Sequence, residues 1–273
     1  MILNSVTWHS SNYLHTQQFH RQDMSARVMK IIVAGSTGFV ATEVIRQALS
    51  NPAITSIAAL GRRATPVPKN AGPDADPAKL KSVVCDNFES YTESVKKDLA
   101  GADACIWLIA VTPSKLRTMP FEDARKICLD YTVRGIETVS QLPRDSASKP
   151  LRFIYTSGAK AQRDQSQKAW ILGDYGLMRG ETESRVLEFA KNSNGAVEAC
   201  VAKPGIIDAP GRTGLVMSVV GSIGRAIIGL PILDVSEIAA TLLQQAINGI
   251  EKETLLNDDL VRIGQTVLGV HNK

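Results

Sequence analysis

After residue 29 the chain alternates short apolar runs with longer amphipathic segments. Apolar runs bounded by turn-forming residues are typical of buried strands, and apolar residues three and four apart are typical of helices. The pattern predicts strands over Lys30–Ala34, Ser56–Leu60, Lys81–Cys85, Ala104–Ala110, Arg152–Tyr155 and Glu198–Ala202. It predicts helices over Phe39–Leu49, Tyr91–Leu99, Phe121–Leu142 and from an N-cap at Asp174 to about Asn192. This alternation predicts an α/β fold with a doubly wound parallel sheet.

Two stretches depart from the alternation. Residues 1–28 are polar and have no helical or strand period, so we expect a disordered tail before a single domain over 29–273. Leu215–Leu233 is almost continuously apolar and approaches the length of a membrane span. Arg225 near its centre and its Gly and Pro interruptions argue against a span. We expect a substrate lid over about 205–234 instead.

Composition narrows the class of protein. An apolar fraction of 44% supports a sizeable core, and a net charge of +4 without a dense Lys/Arg block gives no basic stripe for nucleic acid. The four widely spaced cysteines form no zinc or redox motif, and no metal site is expected. No apolar signal core is present, so we expect a cytoplasmic protein. Arg21 and Arg27 beside one acidic residue leave a mitochondrial presequence open.

A glycine motif follows the first predicted strand. Gly35, Gly38 and Ala41 recur at three-residue intervals. Gly35 permits a left-handed backbone, Gly38 permits close approach of a ligand, and Ala41 permits tight helix–strand packing. Amides at the helix start would then bind a pyrophosphate, although a simple tight turn is the alternative. The residues predicted to hold it are Gly35, Ser36, Thr37, Gly38, Phe39 and Val40.

Charged residues follow the second and third predicted strands. Arg62 and Arg63 stand where an NAD enzyme usually has an acid, and arginine would instead pair with a 2′-phosphate. They therefore predict NADP (NADPH) as the cofactor, with a solvated basic turn as the alternative. Asp86 ends the third strand and is predicted to approach the adenine ring. An ordinary strand-ending aspartate explains that residue nearly as well.

A candidate catalytic group surrounds the fifth predicted strand. Tyr175 and Arg179 are four residues apart on a predicted helix and therefore face the same side. A cation beside a phenol favours the phenolate, so we expect Arg179 to lower the pKa of Tyr175. Ser157, at the end of the strand, could share the substrate oxygen. Together the three residues would form a proton donor for a carbonyl that accepts hydride.

These motifs resemble the short-chain dehydrogenase/reductase superfamily, in particular its atypical or extended branch. The glycine motif, Tyr175-Gly-Leu-Met-Arg179 in place of Y-x-x-x-K, and Lys203-Pro204-Gly205 carry the resemblance, which covers about residues 29–265. Leu60-Gly61-Arg62-Arg63 and Arg179-Gly180-Glu181 are similar to the Tat-interacting-protein oxidoreductase homologues. The resemblance implies a Rossmann fold that binds NAD(P), and Asp234–Ala239 resembles the return helix of the branch.

Three functions are compatible with the sequence. The first is NADP-dependent hydride transfer to a small apolar carbonyl, or from the corresponding alcohol, with Ser157, Tyr175 and Arg179 as catalytic residues. Because Arg179 replaces the family's lysine and cannot release its proton, the second is a catalytically weak NADP(H)-binding regulatory protein. The third is a non-redox isomerase on the same fold. A small-molecule substrate is expected in each case, and a homodimer is left open.

Overall fold

The computed structural model describes residues 29–144, 149–170, 172–208 and 229–270. Its strands are β1 Lys30–Ala34, β2 Ser56–Gly61, β3 Leu80–Val84, β4 Ala104–Trp107, β5 Leu151–Thr156, β6 Val197–Lys203, β7 Ile206–Asp208, β8 Ile232–Asp234 and β9 Thr254–Leu256. Within this part of the chain, seven parallel strands form a sheet in the order β3-β2-β1-β4-β5-β6-β9. The strand order reverses between β1 and β4, which makes their carboxyl ends the switch point where ligands bind in such sheets.

Helices cover both faces of the sheet. They are α1 Phe39–Ser50, α2 Glu93–Leu99, α3 Phe121–Arg125, α4 Tyr131–Ser140, α5 Gly173–Asn192, α6 Val235–Asn248 and α7 Asn257–Leu268. Alternate residues of β1 point to opposite faces, as the pleat of a strand requires. Ile31 packs with Val44 and Leu242 on one face, and Ile32 packs with Trp107 and the remaining core on the other. The doubly wound parallel fold predicted from the sequence is thereby confirmed.

Two helix predictions need correction. Asp174 is not an N-cap, because α5 begins at Gly173 after Leu172, which has a left-handed φ of 55°. The Asp174 carboxylate instead contacts Lys168 Nζ at 2.7 Å. The helix predicted over Phe121–Leu142 contains a π-helical turn at Lys126–Asp130, which separates α3 from α4.

The end of the described chain adds elements that the pattern did not predict. β9 contributes the edge strand, and α7 packs on α6 so closely that a Cβ atom at Gly264 would overlap the backbone of Glu237. α6 begins with a capping box: Asp234 accepts from the Ser236 amide, and Glu237 accepts from the Asp234 amide. The start of α6 coincides with Asp234–Ala239, the segment that resembles a helix of the extended branch.

Two predicted regions fall partly or wholly outside the described residues. The tail over 1–28 lies outside them, and so does 209–228, the larger part of the predicted lid. The two ends of the lid segment are described, and they pair as a small parallel sheet of β7 and β8. No helix in the described ranges is long and apolar enough to cross a membrane.

Candidate active site

The glycine turn lies at the switch point of the sheet. Gly35 has a φ of +82°, and a Cβ atom there would lie 3.0 Å from the carbonyl carbon of Leu108, just after β4. The Gly38 amide donates to the Gly35 carbonyl at 2.8 Å, and Gly38 is the N-cap of α1. Ala41 is fully buried under this turn. The turn directs the start of α1 toward the crevice above β1 and β4. Because the first amides of an α-helix have no intrahelical acceptor, they are available to bind a ligand there.

Ser36 lies in the turn, but its hydroxyl faces the protein interior. The side chain is 1% exposed, and its Oγ is 2.6 Å from Thr65 Oγ1. The amides of Gly35 and Ser36 both donate to the Leu60 carbonyl at the end of β2. These bonds fix the turn to the loop that follows β2. Thr37 is exposed and Val40 half-buried at the start of α1, where a phosphate could reach their backbone.

Arg62 and Arg63 directly follow β2 and are both exposed. Neither side chain has an ion-pair or hydrogen-bond partner among the described residues. The Cys85 amide donates to the Gly61 carbonyl, which joins the segments after β2 and β3. Asp86 is therefore at the same edge as the two arginines, and it is exposed as well.

Tyr175, in the first turn of α5, reaches across to the loop after β4. Its hydroxyl donates to the Val111 carbonyl at 2.8 Å, and its ring packs in a small apolar cluster with Cys128 and Met178. Burial raises the pKa of the Tyr175 phenol, and the charge of Arg179 only partly opposes that rise. The expected lowering of this pKa is wrong for this conformation, because burial outweighs the nearby cation.

Arg179 is a buried cation at the end of β5. It is 3% exposed, its Nη2 donates to the Thr156 carbonyl at 2.7 Å, and its guanidinium carbon lies 5.1 Å from the centre of the Tyr155 ring. No carboxylate in the described ranges pairs with it, and its Nη1 has no hydrogen-bond partner there. Buried charges are usually paired with an opposite charge, so a buried guanidinium without a carboxylate partner in the described ranges is unusual.

Ser157 immediately follows β5, and its hydroxyl belongs to a polar network. Its Oγ donates to Oε1 of the fully buried Glu183 at 2.6 Å. Oε2 of Glu183 accepts from Arg163 Nε at 2.7 Å and from Lys203 Nζ at 3.0 Å. Sequence reasoning missed Glu183 and Arg163 as parts of the site. The signal available was the four-residue spacing of Tyr175, Arg179 and Glu183 along α5.

That spacing produces a polar stripe on the buried face of α5. Tyr175, Arg179 and Glu183 lie one turn apart, and two glycines run beside them. The Gln162 amide donates to the Gly176 carbonyl at 2.9 Å, and a Cβ atom at Gly180 would overlap the Gln162 carbonyl. The helix can carry a polar stripe here because the loops after β4 and β5 and the ends of β5 and β6 supply its hydrogen-bond partners.

A cavity of about 430 Å³ opens beside Tyr175. Leu116, Phe121 and Leu172 contribute apolar walls, and the side chain of Trp170 is 92% exposed at its rim. A larger cavity of about 580 Å³ lies between β8 and α7, but none of the predicted site residues lines it. Within the described ranges no cluster of three or more His, Cys, Asp or Glu side chains could hold a metal.

The chain is similar to proteins of known name. No protein-family model matches it. It is 24% identical over 253 residues to "Protein FMP52, mitochondrial" of Candida albicans, which covers 88% of this chain and 100% of the relative. MoeE5 in complex with UDP-glucuronic acid and NAD superposes with a TM-score of 0.60 at 15% identity, covering 88% of this chain and 82% of MoeE5. Vestitone reductase from alfalfa superposes with a TM-score of 0.58 at 18% identity, covering 83% and 76%.

The sheet order, the glycine turn at its switch point and these neighbours define the class of the protein. It is a Rossmann α/β protein with the fold of the extended short-chain dehydrogenases/reductases. The resemblance expected from the sequence is thereby confirmed at the level of the fold.

Proposed function

We propose that the protein is an NADP-dependent oxidoreductase that transfers hydride between NADP(H) and a small apolar carbonyl or alcohol. The observation that carries the proposal is the placement of Arg179 against the end of β5 and of Tyr175, one turn earlier on α5, against the loop after β4, in a sheet whose switch point carries a glycine turn. The neighbours support it: MoeE5 is described in complex with NAD, and another neighbour is a reductase.

The residues of the switch point fit a dinucleotide. The φ of Gly35, the close approach of Gly38 and the start of α1 form the backbone of a pyrophosphate site. Arg62 and Arg63 are unpaired at the end of β2 and would bind a 2′-phosphate, with Asp86 near the adenine. Ser36 would contribute backbone only, since its hydroxyl is bonded to Thr65. The bound nicotinamide would supply or accept the hydride.

Tyr175 would supply the proton. Its hydroxyl must exchange the Val111 carbonyl for the substrate oxygen, which is a similar neutral acceptor. Arg179 would stabilise the phenolate that remains after proton transfer, because it is a permanent cation one helical turn away. The cavity beside Tyr175 has apolar walls from Leu116, Phe121 and Leu172, which would contact the apolar part of a small substrate, while Lys168 and Asp174 add a polar side to its lining.

The test is single-turnover oxidation of bound NADPH with a panel of small ketones and aldehydes. Tyr175→Phe should lower the rate by about 10²–10⁴-fold, the usual contribution of a general acid, and leave NADPH affinity unchanged. Tyr131→Phe, on α4, is the matched control and should keep the parent rate. Parent-like turnover in Tyr175→Phe would exclude the proposed mechanism.

A regulatory NADP(H)-binding protein is the second candidate. It is favoured by the bond that engages the Tyr175 hydroxyl and by the burial that raises its pKa. Arg179→Lys separates the two: if Arg179 only supplies charge in an enzyme, the lysine variant should oxidise NADPH at least as fast as the parent. In a binding protein, neither parent nor variant would turn over any carbonyl. A non-redox isomerase would convert substrate without net oxidation of the cofactor.

We further propose a mitochondrial location in place of the cytoplasmic one expected at first. One support is the Candida albicans relative, which is named as a mitochondrial protein. The other is the low acidic content of residues 1–28, which include Arg21 and Arg27. A fluorescent protein fused after Lys273 should colocalise with a mitochondrial dye. The same fusion lacking residues 1–28 should show diffuse fluorescence if these residues contain the mitochondrial targeting signal.

A further inference from the structure

We propose that Glu183 is a positioning residue that commits the only proton of the Ser157 hydroxyl, so that Ser157 can accept but not donate a hydrogen bond in the active site. This inference rests on the proposed function and on the prediction from the sequence that Ser157 shares the substrate oxygen. Its consequence is selectivity: the site holds an alcohol more tightly than the matching ketone.

The direction of the bond between Ser157 and Glu183 follows from the partners of the carboxylate. Oε2 of Glu183 accepts from the guanidinium of Arg163 and the ammonium of Lys203. A carboxylate whose Oε2 accepts from two cationic donors offers only acceptor lone pairs on Oε1. The 2.6 Å contact between Ser157 Oγ and Glu183 Oε1 is therefore an O–H donated by serine.

The network is built to hold this arrangement. Glu183 is fully buried, and Arg163 and Lys203 have further partners that fix them: Arg163 Nη2 donates to Thr254 Oγ1 at 2.8 Å, and Lys203 Nζ donates to the Ala161 carbonyl at 2.8 Å. The side chains of Ser157, Arg163 and Lys203 thus converge on the carboxylate of Glu183. A hydroxyl has one proton, so a serine that donates it to Glu183 offers only lone pairs on its remaining side.

An alcohol and a ketone interact differently with a serine that can only accept a hydrogen bond. An alcohol can donate its O–H to Ser157 while its oxygen accepts from Tyr175. A ketone can accept from Tyr175 but has no proton to give, and it would face the lone pairs of Ser157. Loss of the Ser157 oxygen should therefore weaken an alcohol and leave the ketone almost unaffected.

Glutamine at position 183 should invert the polarity. In Glu183→Gln the two cations on the Oε2 side require an acceptor, so the amide oxygen turns toward Arg163 and Lys203. The amide nitrogen then faces Ser157 and donates to it. The serine proton is released toward the active site, where it can bind a carbonyl oxygen.

The experiment measures affinities in dead-end complexes, which require no turnover. Cyclohexanol with NADPH and cyclohexanone with NADP are titrated by ligand-observed NMR against the parent, Ser157→Ala and Glu183→Gln, followed by further matched alcohol and ketone pairs. A single neutral hydrogen bond of about 1 kcal/mol corresponds to about fivefold in affinity. Ser157→Ala should weaken the alcohol about fivefold and change the ketone less than twofold.

Glu183→Gln should raise ketone affinity relative to alcohol affinity by about fivefold, and the shift should vanish in the double variant with Ser157→Ala. Glu181→Gln, on the same helix, is the matched control and should change neither affinity. A merely structural role for Glu183 would weaken both ligands together. If Glu183→Gln does not fold, Ser157→Ala decides alone, since it leaves the carboxylate and both cations in place.

The outcomes separate this inference from the function on which it rests. Turnover in the parent, with Ser157→Ala weakening the ketone as much as the alcohol, would overturn the acceptor role and leave the oxidoreductase standing. Failure of every alcohol and ketone pair to bind the parent would overturn both.

Discussion

At the scale of single residues, the proposed preference for NADPH over NADH rests on Arg62 and Arg63. Both are exposed and without partners in the described part of the chain, so no internal bond must break before they bind a phosphate. Replacing both by serine should weaken NADPH by about 1–3 kcal/mol, the loss of charge-assisted hydrogen bonds, and should change NADH little. Calorimetric titration measures both. Lys69→Ser, on the same loop, is the control, and equal parent affinity for NADPH and NADH would contradict the prediction.

The proposed role of Tyr175 as proton donor predicts a pH dependence whose direction follows from the burial of its phenol. Burial raises the pKa of this phenol above its ordinary value of 10.0. Carbonyl reduction needs the protonated phenol, so its rate should stay flat from pH 6 to 9 and fall only as the pH rises through the raised pKa. Alcohol oxidation needs the phenolate, so its rate should rise about tenfold per pH unit over the same range. A plateau in the oxidation rate below pH 9 would show that cofactor binding reverses the effect of burial.

At the scale of elements, α5 depends on two glycines to approach the loop after β5. A Cβ atom at Gly180 would overlap the Gln162 carbonyl, which is backbone and cannot rotate away. Gly180→Ala should therefore destabilise the protein by about 1–3 kcal/mol, even though alanine is the better helix former. Thermal and urea unfolding measure the change. Gly158→Ala is the control, because a Cβ atom there meets nothing within 4 Å; equal stability of the two variants would argue against this packing.

The elements also show what the sequence could predict. Strands β1, β2, β4 and β5 follow from apolar runs, since a strand buried on both faces needs a nearly continuous apolar segment. The edge strand β3 is largely exposed and shows a weaker apolar run. β7, β8 and β9 have three residues each, too few for any period to appear. The predicted N-cap of α5 is two residues late, because Asp174 is a favourable cap by residue type whereas the chain uses the left-handed Leu172.

The candidate site was predictable only where its residues are close together in the sequence. The glycine turn and the pair Tyr175–Arg179 show their spacing directly. The network around Glu183 joins residues that are distant in the chain, and its only local signal is the four-residue spacing of Glu183 from Arg179 along α5. The direction of the Tyr175 pKa shift depends on burial, which tertiary packing decides.

For the molecule as a whole, the described sheet and its helices use only residues from 29 onward. Met29 is 1% exposed, and its carbonyl accepts from the Thr55 amide at 2.9 Å, so this residue belongs to the core. Residues 1–28 lack the apolar period that would offset the entropy of ordering them. A chain that begins at Met29 should melt within a few degrees of the full chain by calorimetry. A chain that begins at Ile31 should melt lower, and a large loss already at Met29 would show that the first 28 residues stabilise the fold.

The hydroxyl pair of Ser36 and Thr65 also limits how this protein could evolve a different cofactor preference. A Cβ atom at Gly61, the last residue of β2, would come within 2.8 Å of Ser36 Oγ. An acidic side chain at position 61 therefore requires the Ser36 hydroxyl to move and to give up its contact with Thr65. Position 62 has no such barrier, since Arg62 is exposed. Under the proposed NADP preference, variants selected for NAD should accordingly carry their acid at position 62, one residue beyond the strand, and an acid at 61 should be found together with a change at Ser36.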